Sequence, residues 1–291
     1  MGPLAQSVEQ QTFNLWVVGS IPTGPTCTNS CKISSKIMQI MIKLGSLLWR
    51  LNNYGFFESL KYLFFRTFKF SNQLSSVDLI DSFELLVKEL NFETSKDIVK
   101  EYEKVFEKVS QIYSDYTLVG NRIKSNLIGL NASETKFKVL AAIIMKYQFD
   151  VIIETGTQHG TTSIFMDNWL CQTNQKCKLY SIDVLKYQAP SQIEKINRII
   201  LDSPVRKNFM KQTQSLITDT ENILFFHDSD HSYENMVFEF DWAWNHLEVK
   251  VIIADDVENN SAFYEFVNFE KVHFKLCKFD HGPAVGIAIR T

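Results

Sequence analysis

Apolar and polar positions follow two regimes along this chain. From residue 75 to 115, apolar residues recur at three- and four-residue steps: Leu79, Phe83, Leu86, Val87 and Leu90, then Ile98, Tyr102, Val105, Phe106 and Val109. That period marks one face of an α-helix and predicts helices over 75–90 and 94–115. Asn131 with Glu134 has the spacing of a capping box and opens a third helix through Tyr147. Beyond it, short β-branched apolar runs predict strands at 150–154, 178–183, 222–228 and 249–254. Helices are predicted between and after them at 161–171, 191–200, 233–247 and 260–268. Two closing strands, Val272–Phe279 and Ala284–Arg290, flank the turn signal Asp280-His281-Gly282-Pro283. This alternation predicts an α/β fold, a mostly parallel sheet with helices on both faces and an antiparallel C-terminal strand.

Residues 1–35 carry no such period and are punctuated by Gly, Pro, Ser, Thr and Gln. The opening stretch, Leu4 to Pro25 above all, resembles the conceptual translation of a transfer-RNA gene. The expectation is that Met38 or Met41 is the true start and that residues 1–37 are a leader without function; the alternative is a disordered tail. The organisation expected is therefore a leader at 1–37, a helical region at 38–130 and an α/β domain at 131–291.

Composition adds little to the class but something to the N-terminal section. The 291 residues are 45% hydrophobic and 22% charged, with a net charge of −3, so bulk charge points away from nucleic acid. Between Met38 and Phe70, however, Lys43, Arg50, Lys61, Arg66 and Lys69 face one acid, Glu58. The same stretch is rich in Trp, Tyr, Phe and Leu. A basic amphipathic helix of that kind can lie on an anionic membrane surface. The competing reading is packing on the catalytic domain or on a second subunit. The aromatic residues surround the helix rather than line one face, which favours packing. No run of eighteen apolar residues without charge occurs, and no basic opening precedes an apolar core. Five cysteines, Cys27, Cys31, Cys171, Cys177 and Cys277, are odd in number and lack a repeated C-x-x-C spacing, which suits a reducing compartment. The location expected is cytoplasmic, at the inner face of a membrane if 38–70 binds one.

The chemistry gathers at predicted strand ends. The run Asp150 to Thr162 takes an apolar strand to Glu154, then turns through Gly156 and Gly160 into a helix. Glycine lets backbone come close to a ligand. Neither G-x-G-x-x-G nor G-x-x-x-x-G-K-[ST] is present here. Asp183 follows the second predicted strand, Asp228 and Asp230 the third, and Asp255 and Asp256 the fourth. In open α/β sheets ligands sit beyond such ends, so acids in register there are a candidate site.

The pattern E-x-G-x-x-x-G resembles motif I of class I S-adenosylmethionine-dependent methyltransferases, and the likeness extends over about residues 133–291. It implies that Glu154, Gly156, Thr157 and Gly160 hold the methionine part of S-adenosylmethionine and that Asp183 holds the ribose hydroxyls. Where that family has Gly-Asp-Ser near the adenine, this chain has Lys211-Gln212-Thr213-Gln214-Ser215, which places Gln214 against the base. The segment Asp228-Ser229-Asp230-His231-Ser232-Tyr233-Glu234, followed by Asp255-Asp256, resembles a small-molecule and sugar O-methyltransferase subgroup with D-G-D-H-x-Y-E and a later acidic pair. Ser229 replaces the glycine. That resemblance implies Asp228 beside the cofactor, Asp228, Asp255 and Asp256 as ligands of a magnesium ion, and Asp230, in preference to His231, as the acceptor of the substrate proton; His231 equally suits a partner that orients a carboxylate. The expected reaction is transfer of a methyl group to a hydroxyl of a small molecule or glycan. Expected partners are that acceptor, no nucleic acid, peripheral membrane contact through 38–70 and a homo-oligomer. Two other readings are an NAD(P)-linked dehydrogenase, which lacks its third glycine and a Y-x-x-x-K pair, and a non-catalytic membrane-surface binding protein on the same fold.

Overall fold

The computed structural model describes residues 79–92, 95–115, 134–184, 189, 191–201, 206–216, 222–247, 249–258, 261–279 and 282–290. The expected leader, the basic aromatic segment 38–70, Asn131 and the Asp280-His281 half of the closing turn lie outside them. All described residues fall in one unit of the chain, Trp49–Thr291. In chain order they form β1 (Leu79–Ile80), α1 (Phe83–Glu89), α2 (Ser95–Asp115), α3 (Glu134–Tyr147), β2 (Val151–Thr155), α4 (Thr161–Gln172), β3 (Lys178–Asp183), a 3-10 turn (Ser191–Lys195), β4 (Asn197–Ile200), α5 (Arg206–Gln214), β5 (Ile223–His227), α6 (Tyr233–Asn245), β6 (Val251–Ala254), α7 (Ala262–Phe269), β7 (His273–Cys277) and β8 (Val285–Ile289).

Among the described residues eight strands make one sheet, in the order β1-β7-β8-β6-β5-β2-β3-β4. Strands β2 to β6 run parallel, and β8 is antiparallel to both β6 and β7. The chain builds outward from β2 through β3 to β4, then returns to the other side of β2 for β5 and β6. That reversal makes the carboxyl ends of β2 and β5 a topological switch point, where connections diverge and leave a crevice. Thr155 pairs with both Ile182 and His227, and His227 with Ala254, so these strand ends are level.

Alternation along β2 assigns the two faces. Ile152 joins Leu86, Val109, Leu140 and Phe165 in a core built with α1 to α4; Val151 and Ile153 join Phe240 and Phe263 in a core built with α6 and α7. Each such buried side chain contributes about 1.5–3 kcal/mol by leaving water. The helical section 79–115 thus shares a core with the sheet, and β1 extends that sheet beside β7.

Three segments differ from expectation. Within the helix read over 75–90, Leu79–Ile80 form a strand, and the helix starts after Ser82, whose hydroxyl accepts the Leu85 N–H at 3.3 Å. Ile80, not Leu79, points inward, at 5% exposure against 45%, so Leu79 was in step with the helical period by coincidence. The helix read over 191–200 is a short 3-10 turn followed by β4. The open edge of β3 offers a ladder to Asn197–Ile200, and β-branched Ile199 and Ile200 suit it. Residues 206–214, over which no element is predicted, form α5.

Candidate active site

The turn after β2 is set by three left-handed residues, Gly156 (φ +86°), Gln158 (φ +45°) and Gly160 (φ +79°). Gly156 donates its N–H to Ile182 at 2.9 Å, and Gly160 donates to Thr157 at 2.7 Å and then caps α4. A Cβ on Gly156 would lie 2.0 Å from the Asp228 carbonyl oxygen, and one on Gly160 would lie 2.4 Å from Ile193 Cδ1. The sequence suggested that these glycines make room for a ligand. At both positions a side chain would strike the chain itself.

Glu154 sits under this turn and is 1% exposed. Its Oε2 accepts hydroxyls from Ser163 on α4 and Ser181 on β3, while its Oε1 has no partner. Burial pushes the carboxyl up to about 7, against the pull of the two serines and Lys136. Thr157 Oγ1, also buried, lacks a partner too. A buried polar atom left unpaired costs about 1–3 kcal/mol. Two of them either side of Gly156 in the chain fit a cationic, donor-bearing ligand such as the methionine end of S-adenosylmethionine. Asp183 ends β3 and holds the turn from the other side, its Oδ2 accepting the Gln158 N–H at 2.7 Å.

Across the switch point, Asp228 and Asp255 follow β5 and β6. Asp228 donates its backbone N–H to Thr155, and Asp255 donates its own to His227, each at 3.0 Å, so the rim is stitched strand to strand. Lys136, from the first turn of α3, places Nζ 2.9 Å from Asp228 Oδ2 and 3.0 Å from Asp255 Oδ2. Burial pulls the Lys136 pKa down, but the two carboxylates more than reverse this and hold it above the ordinary lysine range. Burial, with Asp255 and Glu154 near, raises Asp228. Asp256 adopts φ +56° and donates its N–H to Asp255 Oδ1 at 3.0 Å. His231 Nε2 faces Asp228 at 3.8 Å and Asp256 at 3.7 Å, and burial, together with His227, lowers its pKa.

Asp230 is turned elsewhere. Its carboxylate accepts the Ser232 N–H at 3.0 Å and the Ser232 hydroxyl at 2.8 Å, and the residue is exposed at the entry to α6. Beneath it lies a buried network centred on Glu239, one turn further along α6 from Asn235. Glu239 Oε2 meets His227 Nδ1 and accepts from Thr155 Oγ1, both at 2.7 Å; Glu239 Oε1 accepts from Ser229 Oγ at 2.8 Å and from Asn235 at 3.0 Å. Burial alone would raise the Glu239 pKa, but His227, Thr155 and Ser229 bring it below the ordinary value.

The structure therefore gathers Glu154, Gly156, Thr157, Gly160, Asp183, Asp228, His231, Asp255 and Asp256 at one end of the sheet. Gln214, expected against the adenine, is not among them. It is exposed at the last turn of α5, where the neighbouring Thr213 accepts the Trp242 indole N–H from the last turns of α6 at 2.8 Å. Lys136 and Glu239 contact this rim although the sequence did not indicate them. One lies on a helix before the motif, the other inside an amphipathic helix, and neither position has a spacing tied to the acids.

Magnesium takes oxygen ligands in near-octahedral geometry. Here Asp228 and Asp255 direct their Oδ2 atoms at an ammonium, and among the described residues no group of three His, Cys, Asp or Glu is arranged to hold a metal ion. The expected triad of Asp228, Asp255 and Asp256 does not fit the ion.

Residues 130–253 match the model of a family described as Rhamnosyl O-methyltransferase/CmcI. The match runs from just before α3 through β6 and so covers Lys136, the turn after β2, Asp183 and Asp228. No curated protein matches the chain. Among solved structures, an O-methyltransferase from Bacillus cereus in complex with S-adenosylhomocysteine is 17% identical, with 64% of this chain and 91% of that chain covered and a TM-score of 0.42. A magnesium- and S-adenosylmethionine-bound CmcI is 17% identical over 51% and 68% (TM-score 0.38), and TomG of Streptomyces achromogenes, with S-adenosylmethionine, is 13% identical over 64% and 89% (TM-score 0.39). These structural likenesses are remote; the assignment stands on the family match and the rim. Over residues 130–253 this chain is therefore similar to a family of O-methyltransferases, and the acid-lined rim of its mostly parallel sheet lies largely within that match.

Proposed function

We propose that the rim between β2 and β5 binds S-adenosylmethionine and passes its methyl group to a hydroxyl of a small molecule or sugar, with His231 as the proton acceptor. The observation that carries this is the unpartnered Glu154 Oε1 buried beneath the glycine turn. When bound, S-adenosylmethionine supplies a sulfonium methyl already activated toward a nucleophile. Glu154 and Thr157 take its ammonium end, and Asp183 offers its carboxylate to the ribose diol. A neutral alcohol is a poor nucleophile until its proton leaves. His231, kept neutral by burial, takes that proton at Nε2, and Asp228 and Asp256 then stabilise the imidazolium. The O–CH₃ bond forms as the S–CH₃ bond breaks. Asp230, held by Ser232, serves the start of α6 instead. A dehydrogenase reading gains no support from the family match. Among the described residues no helix is long and apolar enough to cross a membrane; the membrane and subunit contacts proposed for 38–70 involve residues outside those described.

The test is calorimetric titration of the full chain with S-adenosylmethionine and S-adenosylhomocysteine, in the wild type and in Asp183→Ala, followed by mass spectrometry of a panel of sugars and phenols for added methyl groups. Both ligands bind the wild type, and Asp183→Ala weakens them by about tenfold or more, the value of a charge-assisted hydrogen bond. Absence of heat with either ligand would overturn the assignment of the rim.

A further inference from the structure

We propose that Lys136 is a built-in cation: its ammonium clamps Asp228 and Asp255 where a divalent ion would otherwise sit, and the site works without a metal. The inference rests on the methyltransferase reading of the same rim. Lys136 Nζ lies 2.9 Å and 3.0 Å from the two carboxylates, and the three side chains are 13%, 15% and 8% exposed. Two half-dry carboxylates cannot stay close without a positive charge between them. Lys136 is also held in place from both sides. Thr135 accepts the Phe279 N–H at 3.0 Å, and Phe137 is buried in the core at 1% exposure. Removing the lysine from the rim means unseating the start of α3.

Two carboxylates and one ammonium sum to a single negative charge. An arriving dication meets the ammonium at close range in a poorly solvated site, where repulsion is strong. An ammonium carries three donors, and two are given to Asp228 and Asp255. The third can meet an acceptor oxygen whose proton has passed to His231. In that role Lys136 does for the alkoxide what a bound metal does elsewhere, as a fixed point charge.

The experiment is a titration of manganese(II) into the full chain, with and without S-adenosylhomocysteine, following the free ion by electron paramagnetic resonance. The wild type leaves manganese free. Lys136→Met keeps the side-chain length and removes the charge, and it binds manganese at least about tenfold more tightly than the wild type; adding Asp255→Asn abolishes that gain. Stoichiometric manganese binding by the wild type would overturn the proposal, as would a folded Lys136→Met that binds no better. Should Lys136→Met unfold on thermal melting, the wild-type titration alone decides. A wild type that takes up no S-adenosylhomocysteine defeats the methyltransferase reading, while the manganese result in its absence still decides the lysine.

Discussion

Gly156 and the Asp228 carbonyl oxygen touch at a distance that no side chain could share: a Cβ at 156 would come within 2.0 Å of that oxygen. The contact joins the end of β2 to the end of β5 across the switch point. It makes Gly156 a packing residue of the protein before it is anything to a ligand. Gly156→Ala, strained by both the contact and the left-handed backbone, is expected to destabilise the cofactor-free protein by roughly 3 kcal/mol. Urea unfolding without ligand measures this. Wild-type stability combined with lost cofactor binding would return the glycine to the ligand.

Glu154 links cofactor binding to pH. Its folded pKa, about 7, stands above the ordinary value of 4.5, so the folded chain holds this proton more tightly than the unfolded chain. The stability it contributes is complete below 4.5 and is lost as pH rises toward about 7. A ligand ammonium favours the carboxylate, so binding below about 7 releases a proton, and affinity climbs with pH until it levels off above that value. Calorimetry in buffers of different ionisation heat reads the proton directly. Glu154→Gln removes both the proton release and the pH dependence. Heats identical across buffers in the wild type would refute this link.

Glu239 holds four polar partners in a nearly dry site, with His227 fully buried against it. Glu239→Ala takes this acceptor from His227 Nδ1 and Thr155 Oγ1, while Ser229 and Asn235 keep each other, and is expected to cost about 1–3 kcal/mol for each buried group left unsatisfied. Denaturant midpoints decide the matter. A change as small as that of a surface substitution, about 0.5 kcal/mol, would mean the network relaxes around the loss.

His231 and Asp230 separate by their geometry. His231→Gln is expected to lower kcat by roughly 10²- to 10⁴-fold while cofactor affinity holds, the range of a lost general base. Asp230→Asn leaves turnover within a few-fold and loosens the start of α6. In the wild type the base must be neutral, and burial sets its pKa below the ordinary 6.5. The rate therefore climbs with pH on an acid limb lying under that value and stays flat above it. An acid limb retained in His231→Gln would point to another group.

Much of this could be read along the chain, because the signals involved are local. Period-two and period-3.6 patterning placed the strands β2, β3, β5 and β6 and most helices, and acids next to those strand ends marked the rim, since a parallel sheet brings successive carboxyl ends to one edge. What lay beyond the sequence was settled by contacts between distant residues. Asn197–Ile200 became a strand because β3 had an unpaired edge, and Gln214 came to lie at the exposed last turn of α5. Asp230 turned to Ser232, and Gly156 was claimed by the Asp228 backbone. Lys136 met two acids 92 and 119 positions away, a neighbourhood that only the packing of α3 against the sheet creates. Patterning records which face a residue buries; which charge stands opposite it is decided by the fold.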